Sequence, residues 1–283
     1  MTGYDIASGQ WALLGTRAPA SLVDARLQLH HLVQTIASFG QALLEPREDD
    51  SHRNMGWDEA ATGFRSWPAG DGRSVVVRTE PLEVILDAPG SPRAVALEGK
   101  TLGHAYRWLE EALDVEPGTL APPEYEIPGH AVASGAPFDA DPAALAELGR
   151  WYANAHLALG VVASQEAHAS AVRCWPHHFD IATLIPLSGH GPDGSSRTVG
   201  CGMTPGDGSY PVPYWYVTPW PYDFEAERPA LDGGGHWHAE GWLGAVLTAD
   251  RLVQDETPAA QASRAGAFLS RAVRACIQIA PRT

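Results

Sequence analysis

Two short histidine clusters, each inside an aromatic and strand-like stretch, carry the residues best suited to chemistry. The first cluster contains His178 and Asp180, and the second contains His236, His238 and Glu240. Side chains at positions i and i+2 of a strand point to the same face, so each cluster can direct its polar groups at one point. If the clusters lie on neighbouring strands, they predict a site with three imidazole nitrogens and a carboxylate.

Such a site would suit a divalent metal, because these ligand types bind non-haem iron, zinc or copper. The predicted ligands are His236 and His238 together with either His178 or Asp180, and Glu240 or Asp180 would handle protons in catalysis. Glu240 follows His238 too closely for the cupin spacing, and no H-E-x-x-H or C-x-x-C zinc pattern occurs. The structural alternative is that these histidines are neutral and bonded to backbone groups.

The aromatic residues around both clusters allow a second interpretation, a metal-free pocket for a flat or apolar small molecule. The predicted wall includes Trp175, Tyr214, Tyr216 and Trp237. The polar groups that would orient a ligand there are His178, Asp180, Asp207 and Tyr210. A buried Asp–His pair would then work as acid and base. The bland alternative is that the aromatic rings fill the core.

Composition narrows the expected partners. The formal net charge is −15, and no basic patch is present of the kind that nucleic acid or an anionic membrane surface attracts. No apolar run approaches the roughly 20 residues of a membrane span. The expected compartment is the cytoplasm, since the first residues lack a secretory signal and the three scattered cysteines suggest reduced thiols. Without a Walker pattern no nucleotide cofactor is indicated, which leaves a small-molecule ligand or substrate. The oligomeric state is not specified by the sequence.

Periodicity predicts the elements that must position these residues. Apolar residues at helical spacing predict helices over 21–44, 101–113 and 142–160 (or as far as 169), and a last helix opened by Thr257-Pro258. His30 and His31 lie on the first helix, and we expect one of them on the core side and the other towards solvent. Short β-rich runs predict an antiparallel meander in 52–98 and further strands in 172–253. The expected fold class is therefore α+β, a mainly antiparallel sheet packed with three to four helices. We expect one domain over 1–283, with a proline-rich connector between the possible halves 1–116 and 138–283.

Three segments in the C-terminal half resemble the motifs of a bacterial family of unknown function. Trp175 with residues 179–182 is similar to a W-x-x-F-D-L-A signature, with one extra residue. Residues 202–207 resemble a G-x-W-P-G segment, and residues 213–221 resemble F-Y-x-Y-x-x-P-x-P. The paired histidines that precede Phe-Asp in this chain are absent from that family signature. The family has no established activity, so the resemblance implies no catalytic residue.

Overall fold

The computed structural model describes residues 3–281, and the chain divides into two compact units. The first unit comprises residues 3–19, 150–172 and 180–281, and the second comprises residues 20–149 and 173–179. The proline-rich segment 117–137 lies inside the second unit. Each unit combines helices with antiparallel strands, so the predicted α+β class is confirmed.

The second unit carries six strands in the order β6-β1-β2-β3-β4-β5. They are β1 (Met55–Asp58), β2 (Gly63–Ser66), β3 (Ser74–Arg78), β4 (Glu83–Asp87), β5 (Arg93–Ala96) and β6 (Arg173–Trp175). Its helices are α1 (Val23–Leu32), α2 (Gln34–Leu43) and α3 (Leu102–Leu113). Neighbouring strands from β1 to β5 pair antiparallel, as the predicted meander over 52–98 requires.

The predicted helix over 21–44 is interrupted at Val33, between α1 and α2. The hydroxyl of Thr35 donates to the carbonyl of Leu32 at 2.8 Å. The amide of Ile36, four residues after Leu32, bonds instead to the carbonyl of Val33 at 3.0 Å. The Thr35 hydroxyl therefore bonds to the Leu32 carbonyl in place of a backbone amide, and such side-chain competition is a common cause of a break in a helix.

Both histidines of α1 are buried, although the helical pattern placed one of them towards solvent. His30 and His31 are each 5% exposed. Nε2 of His30 donates to the carbonyl of Pro176 at 2.8 Å, and Nε2 of His31 donates to that of Pro128 at 3.0 Å. Helical periodicity cannot reveal that a distant loop covers the outer face, so this expectation was wrong.

The first unit carries five strands in the order β10-β11-β9-β8-β7. They are β7 (Asp180–His190), β8 (Ser196–Thr204), β9 (Tyr214–Trp220), β10 (His236–His238) and β11 (Gly244–Thr248). Helix α4 (Pro142–Gln165) crosses the boundary between the units, and α5 (Ala249–Leu252) and α6 (Pro258–Ile279) follow β11. The side chain of Thr257 accepts a hydrogen bond from the amide of Ala260, which is the N-cap predicted for the last helix. No helix within residues 3–281 is both long enough and apolar enough to cross a membrane.

Helix α6 covers one face of this five-stranded sheet. The thiol of Cys276 on α6 donates to the carbonyl of Val217 on β9 at 3.3 Å, and Val217 pairs with Cys201 on β8. Side chains alternate along a strand, so Tyr214 and Tyr216 project from the opposite face. We call that opposite face the tyrosine face, and it carries the site described below.

Candidate functional site

The hydroxyl of Tyr210 joins the two histidines of β10. It lies 3.0 Å from Nε2 of His236 and 3.1 Å from Nδ1 of His238. Nε2 of His238 in turn lies 2.8 Å from the carbonyl oxygen of Glu240. Four groups therefore form one continuous hydrogen-bonded chain, in which the two histidines do converge on one point, as their spacing predicts.

The chemistry of the end group fixes the direction of this chain. A carbonyl oxygen only accepts, so Nε2 of His238 must carry a proton. In neutral His238 the other nitrogen, Nδ1, then accepts the proton of the Tyr210 hydroxyl. The Tyr210 oxygen has given its only proton and accepts from Nε2–H of His236. We call this directed sequence, from His236 through Tyr210 and His238 to the Glu240 carbonyl, the relay.

The outer end of the relay is accessible. His236 is exposed, and among residues 3–281 no group bonds to its Nδ1. Partial burial, followed by the neighbouring His238 and Arg251, lowers the pKa of His236 below its usual value. Burial and the charge of Asp207 raise the pKa of Tyr210, so this phenol keeps its proton at neutral pH.

Asp207 builds the turn that presents Tyr210. One carboxylate oxygen accepts from the amides of Ser209 and Tyr210 at 2.8 and 3.1 Å, and the amide of Asp207 donates to the Tyr210 carbonyl at 2.8 Å. The other oxygen accepts from the hydroxyl of Tyr214 at 2.6 Å. The segment that follows Gly206 is thus a tight turn, and it ties Tyr210 to strand β9.

A second tyrosine–carboxylate pair lies deeper on the tyrosine face. The hydroxyl of Tyr216 on β9 donates to a carboxylate oxygen of Asp180 on β7. Burial and this carboxylate raise the pKa of Tyr216 well above its usual value, and burial and Asp207 do the same for Tyr214. Both phenols are therefore proton donors, and both carboxylates are acceptors.

Gly202 on β8 makes the contact between Tyr216 and Asp180 possible, because β8 lies between β9 and β7. A Cβ atom at Gly202 would be 2.5 Å from the Tyr216 hydroxyl oxygen and 2.8 Å from the carbonyl oxygen of Ile181. The tyrosine side chain therefore crosses the middle strand where no side chain obstructs it. A glycine inside a strand was the available sequence signal for this close approach.

Aromatic rings flank the relay. The ring of Trp242 lies 4.3 Å from that of His238 and is stacked with Tyr214 at 6.4 Å between centroids. The ring of Tyr210 lies 4.8 Å from that of Tyr214. These rings place apolar surface beside the histidines, and the ligand pocket stays a prediction.

The other predicted site residues are divided between the two units. Trp237 donates its indole N–H to the carbonyl of Pro229 at 2.8 Å, and Glu240 is exposed and contributes its backbone carbonyl to the relay. Trp175 and His178 belong to the second unit. There the ring of His177 lies 4.2 Å from that of His178 and 6.2 Å from that of Trp175.

The predicted metal cluster has no counterpart formed by the usual ligand types. Within residues 3–281, no three or more His, Cys, Asp or Glu side chains form a group that could hold a metal ion. On β10 the nitrogens of His236 and His238 share the Tyr210 hydroxyl instead. The metal prediction therefore stays a prediction.

Sequence reasoning underrated two residues of the site. Tyr210 and Asp207 were expected to orient a ligand, whereas the structure shows Tyr210 between two histidines and Asp207 in contact with Tyr214. The sequence signal for Asp207 was its place in a Gly-Asp-Gly-Ser turn, but no local pattern links Tyr210 to a strand 26 residues away. Comparisons of the chain with protein-family models, with curated proteins and with solved structures found no match.

Proposed function

We propose that this protein is a metal-free acid–base enzyme that acts on a small organic molecule at the tyrosine face. The observation that carries the proposal is the relay, a hydrogen-bonded chain with one defined direction and one accessible end. Histidine is the side chain most often used for proton transfer near neutral pH. A histidine held by a phenol and a second histidine has a defined tautomer, which general base catalysis requires.

In the proposed reaction, one proton leaves the substrate and one proton arrives at His238. Nδ1 of His236 accepts a proton from the substrate, and the Nε2 proton of His236 passes to the oxygen of Tyr210. The original proton of Tyr210 passes at the same time to Nδ1 of His238. The substrate is left as an anion and His238 as an imidazolium, whose Nε2–H remains bonded to the Glu240 carbonyl. The reverse sequence returns a proton to the product.

The surroundings of the relay suggest the class of substrate. Trp242 and Tyr214 offer ring faces, and the acidic Asp207 and Asp180 already accept hydrogen bonds from tyrosines. A flat or apolar molecule with a weakly acidic C–H, N–H or O–H group suits this combination of apolar wall and imidazole base. A carbonyl compound with an acidic α-hydrogen is one such molecule.

The relay can be tested without knowing the substrate. In protein labelled with ¹⁵N-histidine, two-bond ¹H–¹⁵N spectra distinguish the two neutral tautomers. We expect both His236 and His238 to carry their proton on Nε2. Tyr210→Phe removes only the hydroxyl and should shift Nδ1 of His238 towards the value of an unbonded nitrogen. Tyr222→Phe, a tyrosine outside the relay, is the matched control.

Catalysis is tested by hydrogen exchange into D₂O from a panel of small carbonyl compounds, followed by ¹H NMR. We expect exchange of at least one member, and a loss of about 10²–10⁴-fold when the base is removed in His236→Ala. Tyr222→Phe should exchange at the wild-type rate. An Nδ1–H tautomer at His238, or exchange that is equally fast in His236→Ala, would contradict the proposal.

A metal-dependent enzyme is the second candidate. The observation that favours it is the convergence of His236 Nε2 and His238 Nδ1 on one oxygen, that of Tyr210, at 3.0 and 3.1 Å. Elemental analysis of protein purified without a histidine tag and without chelator tests this candidate. About one iron, copper or zinc per chain, lost in the His236→Ala/His238→Ala double variant, would replace the metal-free proposal.

A further inference from the structure

A second candidate site lies in the second unit and is independent of the tyrosine face. It is a cavity of about 560 Å³ next to the end of α2. Its apolar wall is formed by Leu43, Leu44 and Pro68. Its positive charge comes from Arg47, an N–H donor from His52 and an aromatic ring from Trp67. We call it the arginine cavity.

Two guanidinium groups lie against one indole ring here. The guanidinium carbon of Arg173 is 3.6 Å from the ring centroid of Trp67, and that of Arg47 is 5.0 Å from it. Among residues 3–281 neither arginine forms an ion pair with a carboxylate. Burial, and then the charge of Arg47, lowers the pKa of Arg173. Two like charges are thus held together without an opposing charge between them.

The acidic groups nearby do not neutralise this pair. Glu45 lines the same cavity, and the exposed Asp49 interacts with Arg47. Arg47 reaches Ser51 with one side-chain nitrogen at 3.4 Å. Glu45 and Asp49 are both exposed, so water weakens their attraction for the guanidinium groups. Arg173 receives no compensating contact from them.

His52 adds a buried donor whose direction can be worked out. It is 4% exposed, and its Nδ1 accepts from the backbone amide of Arg47 at 3.2 Å. The proton of neutral His52 is therefore on Nε2, and this buried Nε2–H has no hydrogen-bond partner within the described residues. The buried Nε–H of Arg173 likewise has none. Unpartnered buried donors are rare because each loses its hydration without compensation.

We propose that the arginine cavity binds a small organic anion, a carboxylate or a phosphate monoester, whose charged group is held by Arg47 and His52, while Arg173, against the ring of Trp67, adds positive charge. Guanidinium and imidazole N–H groups form charge-assisted hydrogen bonds with both kinds of oxyanion. Leu43 and Leu44 would contact the apolar part of the ligand. The site is unusual in a chain whose formal net charge is −15, since most of its surface repels anions.

The test uses three probes with the full-length protein. Benzoate carries an apolar ring and a carboxylate, benzamide has nearly the same shape without the charge, and inorganic phosphate has the charge without the ring. Binding is measured by calorimetry and by the ¹H–¹⁵N signals of the indole groups. The signal of Trp67 is assigned with Trp67→Phe. We expect benzoate, phosphate or both to bind and to shift the Trp67 signal, and benzamide to bind at least tenfold more weakly than benzoate.

Variants locate the binding site. Arg47 is exposed, so Arg47→Gln should fold normally, and we expect it to weaken anion binding by about tenfold or more, since a charge-assisted hydrogen bond is lost. Arg47→Lys should retain part of the affinity. The matched control is Arg93→Gln, because Arg93 also lies over a tryptophan, Trp108, at 5.9 Å, but does not line the cavity. This control should bind like the wild type.

The outcomes separate the sources of the anion. Binding of benzoate alone assigns the site to carboxylates, and binding of phosphate alone assigns it to phosphate esters. Equal binding of benzamide and benzoate would overturn the proposal, as would no binding of either anion. Binding that is unchanged in Arg47→Gln would also overturn it, as would binding that falls equally in Arg47→Gln and Arg93→Gln.

Discussion

Acid should destabilise this protein through His30. The side chain is almost completely buried, its Nε2–H donates to the carbonyl of Pro176 at 2.8 Å, and its ring stacks on Phe179 with centroids 5.0 Å apart. Burial is the main cause that lowers the pKa of His30, from 6.5 to about 4, and electrostatic interactions with His31, Arg26 and His178 add to it. The hydrogen bond to Pro176 opposes this shift without reversing it.

Proton linkage gives the sign and the size of the change in the free energy of unfolding. Between pH 6.5 and 4 the unfolded chain binds the proton and the folded chain does not, so the free energy of unfolding falls as pH falls through this range. One pKa unit corresponds to about 1.4 kcal/mol. We therefore expect His30 to contribute a loss of about 2 kcal/mol between pH 7 and pH 5, and about 3 kcal/mol once pH falls to 4. Below that pH its contribution should be constant.

His30→Phe is the informative variant. It keeps a ring against Phe179, and the Pro176 carbonyl still accepts from Nε2 of Gln34 at 2.9 Å. Loss of one buried hydrogen bond should cost about 1 kcal/mol at pH 7. The pH-dependent loss assigned to His30 should disappear, so that the two proteins differ less, or change order, at pH 5.

Urea unfolding of both proteins at pH 7, 6 and 5 measures these free energies. Other buried histidines, His31 among them, are present in both proteins, so the difference between the two curves isolates His30. An NMR titration of the His30 ring in the folded wild type should give a midpoint near 4. The reasoning is refuted if His30→Phe loses as much stability between pH 7 and pH 5 as the wild type does.

Three further predictions concern the first unit and the thiols. Gly202→Ala should destabilise the protein by about 1–3 kcal/mol in urea unfolding, because its Cβ would collide with Tyr216, whereas Gly208→Ala, with no atom within 4 Å, should be nearly neutral. Asp207→Ala removes the two oxygens that accept three hydrogen bonds and should cost about 1–3 kcal/mol, with faster amide exchange at Tyr210; unchanged exchange there would contradict the assigned turn. All three cysteines are buried thiols, and burial raises the pKa of Cys201 and Cys276, so a thiol reagent should modify none in the native protein and three per chain in denaturant.

The helices could be predicted because their signals are local. Thr257 and Pro258 mark the start of α6, and Thr101 accepts from the amide of His104 at the start of α3. Capping residues lie within a few positions of the helix they begin, so a single sequence contains the whole signal. The interruption at Val33 depends on whether the Thr35 hydroxyl or the Ile36 amide bonds to the carbonyl of Leu32, and helical spacing does not encode that choice.

The site was predictable only in part, because only part of it depends on local sequence. The i, i+2 spacing of His236 and His238 indicates that both side chains point to one face, because side chains alternate along any strand. That the point is the hydroxyl of Tyr210 depends on how a loop folds against β10. The arginine cavity gave no signal at all, since Trp67 and Arg173 are separated by more than a hundred positions and neither belongs to a motif.

The glycine that lets a tyrosine cross β8 also predicts how related proteins should vary. The side chain of Tyr216 fills the space that a larger residue at position 202 would need. Tyr216 can donate to Asp180 on the neighbouring strand only while position 202 has no side chain in the way. A relative with a larger residue at position 202 should therefore carry a smaller one at 216 and no longer require a carboxylate at 180. These three positions, spread over three strands, should be inherited or lost together, and they give a more selective signature for finding relatives than any one segment of the chain.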